Sequence, residues 1–76
     1  MKYIVMEIQK ASDGTISNVV LAYDDLNAAY NKYYTVLAAA AISSVAVHSA
    51  VLLNETGFCI KHDFFEHVEV EVSDPE

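Results

Sequence analysis

The chain has one cysteine, Cys59, one proline, two glycines and no tryptophan among its 76 residues. A lone thiol excludes an internal disulfide, so a domain this small must hold together by packing, and a reducing cytoplasm suits it. Two glycines leave no room for a phosphate-cradling loop, and neither a GxSxG elbow nor a CxxC or HExxH zinc pattern occurs. Cations are scarce as well: four Lys and Arg stand against eleven Asp and Glu, a net charge of −7. With so few cations to neutralise phosphates, direct binding of nucleic acid is not expected.

Long hydrophobic runs are also missing where targeting would need them. The N-terminal run MKYIVMEIQK is broken by Glu7 and lacks a small-residue cleavage site, so no signal peptide is expected. Residues Val36 to Leu53 form an eighteen-residue stretch without formal charge, but it holds three serines and His48. It lacks flanking Lys or Arg clusters and changes period halfway, which suits a buried helix passing into a buried strand rather than a membrane span.

What is present is apolar: 54% of the residues are hydrophobic and 20% charged, too oily for a disordered chain. The length allows one domain, residues 1–76, with 73–76 expected to fray. Lys2 to Gln9 alternate, Ile4, Met6 and Ile8 on one side and Tyr3, Val5, Glu7 and Gln9 on the other, which is the period of a half-buried strand. Asp13-Gly14 then supplies a hairpin turn, and Ile16 to Tyr23 returns antiparallel. This second strand is apolar on both faces, with Ile16, Val20 and Ala22 on one and Val19, Leu21 and Tyr23 on the other.

Asp24-Asp25 places carboxylates where a helix has unpaired N–H groups, so a helix is expected to start there and end near Ser44. Leu26, Ala29, Tyr30, Tyr33, Leu37, Ala40 and Ala41 recur at helical spacing and predict the stripe that packs on the sheet. Tyr34 falls off that stripe as an exposed contact. A third strand is expected over Val45 to Leu53, a turn at Asn54 to Gly57, and a fourth strand through FCIKHDFF. Residues His67 to Val72 alternate cleanly, and either continue the fourth strand past a bend or form a separate edge strand.

The fold class that follows is α+β: an antiparallel sheet of four to five strands with one long helix on one face, in the order ββαββ with an extra C-terminal strand in the five-stranded case. One helix covers one face. Tyr3, Val5, Val19, Leu21 and Tyr23 are then expected on the uncovered face, too apolar to stay wet, where a second copy shields them, with Val68 and Val70 of the edge as further interface residues.

Chemistry-bearing residues are few. Cys59, His62, Asp63, Glu66 and His67 offer metal-ligand chemistry, but along an extended strand Cys59 to His67 spans more than ~25 Å, so no metal site is expected there without a bend. Cys59 reads as a small core or interface residue, and His62 and His67 as edge-strand surface groups. A Cys59 thiol activated by His48 or His62 would need oxyanion donors for which the chain has little loop, so no catalytic residue and no cofactor is assigned. Asp63, Glu66, Glu69, Glu71, Asp74 and Glu76 put six carboxylates into the last fourteen residues. Such a strip guards an edge strand against aggregation, or meets a basic protein.

MKYIVMEIQ, the Asp-Gly turn, VVLAYDDLNAAYNKYYTVLAAAA and VAVHSAVLLNETGFCIK together resemble a group of short uncharacterised proteins encoded in Firmicutes genomes, often in phage or mobile-element settings. The likeness spans about Met1 to Lys61 and implies a bacterial, intracellular, phage-related origin. The functional expectation is a non-enzymatic structural or protein-interaction module acting as a homodimer. The alternative is an acidic phosphate mimic that inhibits a basic nucleic-acid-handling protein.

Overall fold

The structure is a computed structural model that describes residues 1–67. Its order is β1 (Tyr3–Lys10), β2 (Ile16–Tyr23), α1 (Leu26–Ala41), β3 (Val47–Asn54) and β4 (Cys59–Glu66). The strands form one antiparallel sheet in the spatial order β2-β1-β3-β4, with α1 packed on one face, which is the expected α+β class. The expected extra strand at 67–72 and the fraying at 73–76 lie outside the described residues, except for His67 itself.

Both hairpins close by the same chemistry. Ala11 N–H donates to the Thr15 carbonyl at 2.8 Å and Gly14 N–H to the Ala11 carbonyl at 2.9 Å; Asn54 N–H donates to the Phe58 carbonyl at 3.0 Å and Gly57 N–H to the Asn54 carbonyl at 2.9 Å. Each is a three-residue loop whose last position needs a left-handed backbone, supplied by Gly14 at φ +92 and Gly57 at φ +89. The Asp13 carboxylate accepts from Thr15 N–H at 2.9 Å, and this bond holds the Asp13 carboxyl below its usual range. Asn54 Oδ1 accepts from Thr56 N–H at 2.9 Å in the second loop.

α1 starts where Asp25 caps it: the Asp25 carboxylate accepts from Ala28 N–H at 3.0 Å. Lys2 pairs with Asp24 just before the cap, which raises the Lys2 pKa and lowers that of Asp24. The helix stops at Ala41, three residues earlier than its sequence suggests, as Ile42 caps it and donates its N–H to the Ala39 carbonyl, and Ser43 N–H donates to the Ala40 carbonyl. Ser43 Oγ then accepts from Val45 N–H at 3.2 Å, so the expected first residues of β3 are spent on a bend and the strand starts at Val47. The uncharged run from Val36 to Leu53 is therefore split between helix, bend and strand. No helix among the described residues is long and apolar enough to cross a membrane.

The core joins Ala29, Tyr33 and Val36 of α1 to Val5 of β1 and Ala50 and Leu52 of β3. Ala29, Ala40 and Ala50 have no exposed surface, and these small side chains let the helix lie close to the two central strands. Tyr33 is the largest fully buried side chain, and desolvation followed by the Asp63 carboxylate pushes its phenol pKa up. Of the expected stripe, Ala29, Tyr33 and Ala40 are buried, Leu26, Tyr30 and Leu37 partly so, and Ala41 is exposed, while Val36 takes a core place instead.

The face the helix covers is the reverse of the sequence expectation. Val5 stands opposite Leu52 on β3 and Leu21 on β2, so all three share the helix side, and Val5 is 1% exposed. Tyr3 and Tyr23 pack against the same core. β1 is apolar on both sides, so alternation alone does not choose the covered face; Glu7, on the same side as Val5, is accommodated there by pairing with His48 of β3.

Candidate interaction surface

Among the described residues nothing packs over the sheet's other face. β1 contributes Ile4, Met6 and Ile8 to it; by register these meet Ala22, Val20 and Asn18 of β2 and Leu53, Val51 and Ser49 of β3. β4 adds Phe64 opposite Ser49, His62 opposite Val51 and Cys59 opposite Leu53. Among the residues of the four strands, formal charge enters this face at one corner, where Lys10 and Glu66 flank Val47; the Lys2–Asp24 pair stands just past the opposite end of β1 and β2. Everything between is apolar, hydroxyl, amide, thiol or imidazole. Ile16, Val20 and Phe64 are about half exposed or more, at 64%, 51% and 49%.

The expected interface residues therefore divide. Val5 is core and is removed from any surface role. Tyr3 and Tyr23 line the helix-side core rim. Val19 and Leu21 are exposed, but on the helix side, because the core under α1 is built on β1 and β3 and takes in β2 at Tyr23 but not its middle. Val68 and Val70 lie outside the described residues. The two-sided apolarity read from the sequence is present; its wet half is the face of Ile4, Met6 and Ile8.

On the covered side His48 is 4% exposed, and its Nε2 lies 2.6 Å from Glu7 Oε2. Gln9 Nε2 donates to the same Glu7 oxygen at 3.3 Å, while His48 Nδ1 is buried without a partner. With Nε2–H donating to the carboxylate, Nδ1 is left as a bare acceptor, the cheaper of the two buried arrangements. An imidazole inside the run VAVHSAVLL asks for such a partner, and that was the one signal in the sequence for this pair.

His48 and Cys59 sit on opposite faces of the sheet, so His48 cannot activate that thiol. Cys59 is exposed rather than core. His62 is an exposed edge residue, whereas His67 is half buried: its Nε2–H donates to the Ala40 carbonyl at 2.7 Å, satisfying a carbonyl of the last helical turn. Among the described residues no three His, Cys, Asp or Glu side chains come together as a metal-ion site. Of the acidic strip only Asp63 and Glu66 are described, and register puts them on opposite faces of β4. Tyr34 is half exposed and stacks on Tyr30 with ring centroids 6.2 Å apart. No protein-family model, curated protein or solved structure matches this chain significantly.

Proposed function

We propose that the chain is a small non-enzymatic protein-interaction module that works as a homodimer, two copies meeting through the open sheet face. The observation that carries this reading is an apolar sheet face whose strand residues carry formal charge at the Lys10 and Glu66 corner alone, on a chain of net charge −7. Two such faces can meet with few opposing carboxylates, so a second copy, as acidic as the first, is accommodated there.

Area supports the same occupant. Four strands of eight residues, at ~4.8 Å between strands and ~3.4 Å per residue, give a footprint of about 500 Å². Face to face, two copies withdraw at least about 1,000 Å² from water, the size at which specific interfaces begin. A monomer rarely leaves a contiguous apolar patch of several hundred Å² wet. The cytoplasmic and phage-related setting belongs to this reading too, supported by the exposed free thiol of Cys59 and by the sequence resemblance respectively.

Met6 is the residue to change, since it faces Val20 on one side and Val51 on the other at the middle of the face. Sedimentation of Met6→Lys should show loss of the face contact with an unaltered far-UV spectrum, and Tyr34→Lys, on the helix, should sediment as the wild type. Equal association of Met6→Lys and wild type would overturn the reading. An acidic phosphate mimic would instead bind a basic protein with an affinity that falls steeply with salt, and would not depend on Met6.

A further inference from the structure

We propose that β2 is a strand-pairing edge whose occupant is β2 of a second copy, antiparallel about a two-fold axis at Val19, joining two four-stranded sheets into one. This contact is separate from the open-face contact, because it uses the backbone edge of the sheet rather than its face.

The two edges of the sheet are built differently. β4 carries Lys61, His62, Asp63 and Glu66, and its pairing with β3 is interrupted between Leu52 and Leu53. Charges and irregular pairing of that kind keep an edge from adding strands. β2, ISNVVLAY, has no charge and no proline, and pairs with β1 in an unbroken register over eight residues. It is also apolar on both sides, and before Tyr23 the described residues leave it uncovered on both: Val19 and Leu21 are 50% and 37% exposed on the helix side, and Val20 is exposed on the other. An open-face dimer alone would leave Val19 and Leu21 wet.

The backbone dictates the register. Ala11 and Thr15 form a hydrogen-bonded pair, and bonded and non-bonded pairs alternate along an antiparallel ladder, so Ser17, Val19, Leu21 and Tyr23 turn their backbone groups to β1. Ile16, Asn18, Val20 and Ala22 turn theirs outward. One self-pairing uses all four: Ile16 opposite Ala22 of the second copy and Asn18 opposite Val20, with Val19 meeting Val19 at the axis. A shift by two residues in either direction strands Ile16 or Ala22. The occupant is a second copy because this strand is complementary to itself in that register and sets no like charges together along its length. Charges meet only past its ends, where Asp25 approaches Asp13 of the second copy, so added salt should strengthen the contact.

Residue-resolved amide exchange across a concentration series tests the proposal. Ser17, Val19, Leu21 and Tyr23 should be protected at every concentration. Ile16, Asn18, Val20 and Ala22 should exchange at least ~10-fold more slowly in concentrated than in dilute samples. Asn18→Pro deletes an outward N–H and no bond to β1, and should abolish that concentration dependence; Val19→Lys, at an exposed axis position, does the same without touching the backbone. In Met6→Lys the protection of these four amides should persist, which separates this edge from the open face. Fast exchange of the four at every concentration, or protection unchanged in both Asn18→Pro and Val19→Lys, would overturn the proposal.

Discussion

Breaking the Glu7–His48 pair is the sharpest test of how the covered face is held. His48 is 4% exposed and the Glu7 side chain 22%, with 2.6 Å between Nε2 and Oε2. In His48→Leu the carboxylate stays under the helix with only the 3.3 Å contact from Gln9. Leaving a largely buried carboxylate without its hydrogen-bond donor costs about 2–3 kcal/mol. For a domain this size each kcal/mol moves Tm by ~4–8 °C, so a fall of about 10–20 °C is expected. Glu7→Met alone removes the acceptor from the buried imidazole and should cost about 1–2 kcal/mol. The double variant Glu7→Met, His48→Leu replaces both polar groups by apolar ones and should recover to within about 1 kcal/mol of wild type. Thermal unfolding at one fixed concentration measures all four proteins, since association itself adds stability. Additive losses in the double variant, or singles within ~0.5 kcal/mol of wild type, would refute a coupled pair.

Three smaller perturbations check the local chemistry. Asp25→Ala removes the cap on Ala28 N–H and should cost about 1 kcal/mol, read as a Tm about 5 °C lower. Gly14→Ala meets no atom within 4 Å, so its loss of ~1–2 kcal/mol should be purely that of a left-handed backbone, and Gly14→Asn should cost less. The Asp13 carboxyl, held down by the Thr15 N–H, stabilises the fold above its unfolded value of 3.8; that contribution should vanish as pH falls through the lower folded value, and Asp13→Asn should flatten stability in that window.

Local chemistry was legible in the sequence and long-range pairing was not. Asp13-Gly14, Gly57 and Asp25 act where their backbone needs predicted, because turns and caps are satisfied within a few residues. The strand set and its antiparallel pairing followed from alternation and short connections. The covered face did not, since β1 is apolar on both sides and the deciding partner of Glu7 lies 41 residues away. Val36 was passed over because one helix holds more apolar residues than a single stripe, and only the packing on the sheet decides which of them are buried. For the same reason the interaction surface moved from Val5 and its neighbours to Ile4, Met6 and Ile8.

Whether that open face is dry in solution can be measured directly. A soluble paramagnetic probe relaxes methyl groups in proportion to their contact with water. The methyls of Ile4, Ile8, Val51 and Leu53 should be as sheltered in a concentrated sample as those of Val5 in the core, while Ile42, 88% exposed at the helix end, marks the fully wet limit. Relaxation of the four approaching that of Ile42 at every concentration would contradict the account.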